Sequence, residues 1–168
     1  MQPANATLLI VDDEPELREI LKEILAPVAS QILTAGNGSE ALEIVKKQPV
    51  HAILCDVQMP VMSGFQFLAE LRKMRLSTPF VIITGFGDRD RILEALRLDA
   101  TDFLDKPFDH DQVIKVMKNA VELGLALEEL GKKLDAILIN KNISPEERVR
   151  LMDYEKSALQ LRFFQPKK

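Results

Sequence analysis

Thr7-Leu8-Leu9-Ile10-Val11-Asp12-Asp13-Glu14-Pro15 is the stretch that decides the fold. Four apolar residues in a row, Leu8 to Val11, break off into acids and a proline. A strand with one wet face alternates apolar and polar side chains, whereas a strand covered on both faces does not. The run is therefore a central strand of a parallel sheet with helices on either side. Phe80-Val81-Ile82-Ile83, closing on Thr84, repeats the pattern. With Thr7 to Val11 and Phe80 to Thr84 as two of them, Gln31 to Ala35, His51 to Cys55 and Asp102 to Leu104 complete five strand candidates.

Helical patterns fill the gaps. Pro15 opens the first, and Leu17, Ile20, Leu21, Ile24 and Leu25 give it one apolar face before Pro27 stops it. After the turn Asn37-Gly38, Ser39 reads as the N-cap of a helix carrying Ala41, Leu42 and Val45. Phe65, Leu68 and Leu71 mark a third helix, Ile92, Leu93 and Leu96 a fourth, and Asp109 caps a fifth. The alternation predicts an α/β, doubly wound five-stranded parallel sheet. Such sheets bind ligands outside the carboxyl ends of their strands.

Composition sets the outer bounds. The chain has 168 residues, 46% hydrophobic and 29% charged, which suits a globular protein and not a disordered one. A net charge of −4 argues against electrostatic coating of nucleic acid. Apolar runs of about four residues fall far short of the ~20 that span a bilayer, and the start has no signal-peptide pattern. The single cysteine, Cys55, excludes an internal disulfide and suits a reducing, cytoplasmic setting.

Three acids fall where the rule for open sheets points. Asp12 and Asp13 follow the first strand and Asp56 the third. In the flavodoxin-like strand order 2-1-3-4-5 these two strands are neighbours, so the carboxylates converge. Converging carboxylates repel unless a cation sits among them, and a hard cation with oxygen ligands, most simply Mg²⁺, is the natural neutraliser. Taken singly, each acid is an ordinary turn or cap residue; three at these positions argue for a shared role. Thr84 ends the fourth strand and Lys106 follows the fifth. A hydroxyl and an ammonium facing such a cluster suit a phosphoryl group.

Asp12-Asp13, Asp56, Met59-Pro60, Gly64, Thr84-Gly85 and Lys106-Pro107-Phe108 together resemble the receiver domain of bacterial two-component response regulators, the CheY-like family. The resemblance covers residues 6 to 122. It implies that Asp56 takes a phosphoryl group from a sensor histidine kinase or phosphotransfer protein, forming an acyl phosphate. It implies Mg²⁺ held by Asp13, Asp56 and the main-chain carbonyl of Gln58, with Asp12 acting through water. Thr84 and Lys106 bind the phosphoryl group, Phe103 is the aromatic switch residue, and the peptide before Pro107 is cis. Such a protein is a phospho-acceptor switch and not an enzyme in the ordinary sense. Asp99 stands where the family commonly has glycine, which asks an aspartate to adopt a left-handed backbone. Gln58 and Phe86 occupy positions that govern hydrolytic water in the family, and a bulky Phe86 is expected to shield the acyl phosphate. An aspartyl-phosphate phosphatase is the weakest alternative, because Gln58 replaces the second carboxylate it needs.

Other residues read as plain structure: Cys55 as a small buried strand residue, His51 and His110 as surface residues, and the six methionines as core filler. Beyond residue 122 the helical period continues. Val113, Val116, Ala120, Leu123, Leu127, Leu130, Leu134 and Ile137 form a heptad-like seam. Past Leu123 no receiver surface is expected to remain for that seam, and Gly124 and Gly131 weaken the helix unless another helix comes close. Ser144-Pro145-Glu146-Glu147 is a capping box for a second helix with Leu159 and Phe163 on its apolar face. The expectation is a receiver over 1–122 followed by a helical hairpin over 123–168, through which two copies pair as a four-helix bundle or a partner protein docks, with Leu123, Leu127, Leu130, Leu134, Ile137, Leu159 and Phe163 at the contact. The tail carries nine basic and seven acidic side chains with no helix-turn-helix pattern, so nucleic acid is not its expected partner. The alternative is a receiver fragment of a DNA-binding transcription regulator whose output domain lies elsewhere.

Overall fold

A computed structural model describes residues 3–85, 98–141, 144, 146–147, 149–151, 153–154 and 157, with side chains in the long C-terminal helix described as far as 136. The elements run β1 (Ala4–Val11), α1 (Pro15–Leu25), β2 (Ala29–Ala35), α2 (Gly38–Lys47), β3 (Ala52–Asp56), α3 (Gly64–Lys73), β4 (Phe80–Thr84), β5 (Asp102–Asp105) and α4 (His110–Lys141). The five strands pair in parallel in the order β2-β1-β3-β4-β5. The helix read over Ile92, Leu93 and Leu96 lies outside the described residues, as does Phe86.

Period-two geometry explains the unbroken apolar runs. Leu8, Ile10, Leu54, Val81 and Ile83 point to one face, where α1 brings Leu21 and Leu25 and α4 brings Val113, Met117 and Ala120. Leu9, Val11, Ile53, Cys55 and Ile82 point to the other, against Ala41 of α2 and Phe67, Leu68 and Leu71 of α3. Every strand residue in the centre is therefore core. Two-sided burial also pins the register, since a slip of one residue would exchange the two faces.

Local signals set the helix ends. Asn37, not Ser39, caps α2: its side-chain oxygen accepts from the Ser39 and Glu40 N–H groups, both at 3.0 Å. Gly38 lies inside the helix because its N–H donates to the Met62 carbonyl at 3.1 Å and a Cβ there would press into Met62. Ser63 and Gln66 form a capping box on α3. Asp109 accepts from Gln112 N–H at 2.6 Å at the start of α4. Ser144 and Glu147 exchange both bonds of the expected box, 3.1 and 3.2 Å, and helical residues follow to 157.

The long helix corrects the reading of the tail in two places. Leu123 is fully buried in the single chain, so it is a core residue and does not face a second copy. Gly124 meets the receiver itself: a Cβ there would stand 1.8 Å from the His51 carbonyl oxygen. His51 is correspondingly not a surface residue. Its Nδ1 accepts from Thr7 N–H at 2.9 Å, leaving Nε2–H to face the Glu128 carboxylate at 3.1 Å. Glu128 also pairs with Lys132 at 2.8 Å, and the bonds to Lys132 and then His51 hold its carboxyl below the usual range. Receiver contact thus continues at least one turn past Leu123. Among the described residues nothing lies near the would-be Cβ of Gly131, Leu127, Leu130 and Leu134 are half-buried, and the side chains of Ile137, Leu159 and Phe163 lie outside the described set. No helix among the described residues is long and apolar enough to cross a membrane.

Candidate functional site

Parallel register brings the carboxyl ends of the central strands level. Val11 pairs with Cys55, Asp56 with Ile83 and Thr84 with Asp105. Asp12, Asp13, Asp56, Thr84 and Lys106 consequently share one end of the sheet. Ligand oxygens of Asp12, Asp13 and Asp56 lie within 4.8 Å of one another. Asp12 and Asp56 are buried, whereas Asp13 is exposed and opens the cluster to solvent.

Lys106 reaches into this group from β5. Its Nζ donates to Asp56 Oδ2 at 2.9 Å and stands 3.7 Å from Asp12 Oδ2. Burial works against the ammonium, but the bond to Asp56 and the charges of Asp56, Asp12 and Glu14 outweigh it and raise the amine above its ordinary value. Asp12 is pushed the other way for a carboxylate: burial raises its pKa, against the Glu14 N–H bond and the Lys106 charge. Asp12 Oδ1 accepts from Glu14 N–H at 2.9 Å, while the buried Oδ2 has no hydrogen-bond partner among the described residues. An orphaned buried carboxylate oxygen beside two further carboxylates is the donor set of a hard cation. The residues fit Mg²⁺.

Neighbouring backbone holds the Asp56 carboxylate in place. Asp56 Oδ1 accepts from Gln58 N–H at 3.3 Å. Gly64 N–H donates to the Val57 carbonyl at 3.0 Å, and a Cβ on Gly64 would lie 2.3 Å from the Asp56 carbonyl oxygen. Only glycine allows α3 to start so close to the end of β3. Arg18 Nη1 donates to the Asp12 carbonyl at 2.5 Å, tying α1 to the acid turn. Cys55 is wholly buried with its Sγ 3.2 Å from the Asp56 carbonyl oxygen, and burial, reinforced by Asp56 and Asp12, lifts its thiol well above the usual value. It is an inert packing group.

Thr84 is 3% exposed and Phe103 39% exposed on the neighbouring strand. The Lys106-Pro107 peptide is cis, and Asp99 adopts the left-handed backbone its position required, at φ 60°. Arg72, which carried no signal in the sequence, secures that turn. It donates to the Asp99 carbonyl at 2.8 Å, Leu76 at 2.7 Å and Thr78 at 3.3 Å. Its partners are main-chain oxygens, which look alike in any sequence.

The family model described as the response regulator receiver domain matches residues 8–118. The chain belongs to that family. Over 123 residues it is 32% identical to regulatory protein AtoC of Escherichia coli strain K12, covering 73% of this chain and 27% of AtoC. Sporulation initiation phosphotransferase F of Bacillus subtilis is 33% identical over 119 residues, 71% of this chain and 96% of that protein. The crystallised chemotaxis protein CheY4 of Vibrio cholerae superimposes with a TM-score of 0.64 at 31% identity, covering 70% of this chain and 99% of that one. This receiver chain therefore spans nearly the whole of small receiver relatives but about a quarter of longer regulators such as AtoC.

Proposed function

We propose that the chain is a response regulator that accepts a phosphoryl group on Asp56 from a phosphohistidine of a sensor histidine kinase or phosphotransfer protein. The observation that carries this reading is the Asp56 carboxylate itself. It stands at the end of β3 inside a three-carboxylate cluster, with the Lys106 ammonium 2.9 Å away. A carboxylate oxygen of Asp56 attacks phosphorus, the phosphorus–nitrogen bond to the imidazole breaks, and the imidazole leaves with the bonding pair. The product is an acyl phosphate on Asp56. Asp13, Asp56 and the Gln58 carbonyl are assigned to hold Mg²⁺, with Asp12 acting through water. Bound there, the ion neutralises charge that builds on the transferring oxygens. Lys106 pairs with the phosphoryl oxygens once Asp56 is modified, and Thr84 supplies a hydroxyl donor beside them.

Phosphorylation adds about −1.5 to −2 charges at this end of the sheet. Such a group shifts an equilibrium only through its different interaction with two states. Buried Thr84 and outward Phe103 are the pair assigned to those states, Thr84 moving toward the phosphate and Phe103 turning inward. The test is incubation with acetyl phosphate and Mg²⁺, followed by intact-mass analysis. Wild type is expected to gain one phosphoryl group and Asp56→Asn none; equal labelling of both would refute the assignment.

Output is assigned to the helical tail, by pairing of two copies or by docking of a protein. Leu151 and Tyr154, 42% and 73% exposed, leave apolar surface for either. Light scattering with and without beryllofluoride tests pairing, and a monomer in both states at high concentration would exclude it. A second reading takes the chain as the receiver of a longer DNA-binding regulator. Its support is the resemblance to a quarter of AtoC, and a gel shift with genomic fragments tests it.

A further inference from the structure

A recess beside the sheet lies at the end opposite the acid cluster. It is a cavity of about 700 Å³ between the α3–β4 connection and the tail. Leu76 and Pro79 line it from the receiver, Leu127 and Leu130 from α4, and Val149 and Asp153 from the second tail helix. Three parts of one chain thus share a mostly apolar wall, the setting in which a docked element finds burial.

Charge narrows the choice of occupant. Glu128 on this wall is already bonded to His51 and Lys132, and Arg72 to three carbonyls with Asp99 3.6 Å away. Arg75 and Asp153 also line the cavity, yet neither has an ion-pair partner among the described residues. They are opposite charges facing one space from the receiver and from the tail. Helix geometry agrees. Val149 and Asp153 are one turn apart and share the face that lines the cavity, while Leu151 and Tyr154 lie on the opposite face; Val149 is 38% exposed beside the open recess, Leu151 42% and Tyr154 73%. The box on Ser144 starts this helix only three residues after α4 ends at Lys141, a connection short enough to send it back along its neighbour.

We propose that the second tail helix is an intramolecular strap. It docks over the α3–β4 connection through Val149, with Asp153 pairing to Arg75, and leaves the acid cluster at the far end uncovered. The receiver's amino-end surface thus has the chain's own tail as its occupant. Only the opposite face of the strap, with Leu151 and Tyr154, remains for another molecule.

Charge reversal in the full chain tests this by amide hydrogen exchange. Arg75→Glu and Asp153→Arg are each expected to speed exchange across 146–157 by about three- to tenfold, the size set by an exposed ion pair turned into a like-charge contact. Exchange in β1 and β3 should stay unchanged, which separates release of the strap from unfolding. The double variant, with the charges swapped, is expected to return within about twofold of wild type. Unchanged exchange in both single variants would overturn the proposal, as would a swap that restores nothing. Protection of 146–157 that grows with protein concentration would assign the surface to a second copy and overturn it equally.

Discussion

Asp102 sits half-buried at the head of β5, where burial raises its carboxyl pKa against the opposing bond from Phe103 N–H at 2.8 Å. An acid with a raised folded-state pKa favours folding below its unfolded value near 3.8, and that contribution is lost as pH rises through the folded value. Asp102→Asn keeps the acceptor for Phe103 and removes the charge. Urea unfolding is expected to show the variant more stable than wild type at neutral pH, with the gain gone below 3.8; a gain that persists in acid would contradict the sign. The acids of the cluster were legible from sequence because each directly follows a strand whose apolar run marks its end. Arg72 and His51 were not. Their partners are carbonyls, amides and an acid placed beside them only by the fold, as with His51 and Glu128, 77 residues apart.

Among the elements, α4 separates what periodicity can tell from what it cannot. Three-four spacing marked the apolar face of the helix through Leu134, but a seam does not name what covers it. Leu123 was assigned to a partner because its cover, the receiver core, lies far away in sequence. The two glycines make the distinction measurable. Gly124→Ala places a methyl against the His51 backbone, where neither side is a flexible tip, and is expected to lose about 2–3 kcal/mol by overpacking. Gly131→Ala meets nothing among the described residues and is expected to gain about 0.5–1 kcal/mol from helix propensity. Thermal melts of both variants decide it, and equal effects would mean that the two halves of α4 are packed alike. The N-cap of α2 is a smaller case: Asn37 and Ser39 are both good caps, and the contact of Gly38 with Met62 tips the choice.

Across the whole molecule, the acid cluster and the tail occupy opposite ends of one sheet. Asp56 closes β3 at the acid cluster, and His51, just before β3, meets α4 at the other end. The fold was legible in outline because apolar runs mark the five strands, while their order came from the resemblance to a known topology; the docking of the tail depends on surfaces that no motif marks. A buried Asp12 oxygen with no hydrogen-bond partner among the described residues lies within an acid cluster whose like charges repel. Mg²⁺ is therefore expected to stabilise the folded chain, by about 1.4 kcal/mol at ten times its Kd. Asp13→Asn should lose most of that gain, and a melt unmoved by Mg²⁺ would count against the site. The most direct test of the central claim is to phosphorylate the chain with acetyl phosphate and Mg²⁺, reduce the acyl phosphate with borohydride, and map the product by peptide mass spectrometry. Modification confined to Asp56 and abolished by EDTA is the predicted result; modification at Asp12, Asp13 or a histidine, or labelling indifferent to EDTA, would contradict it.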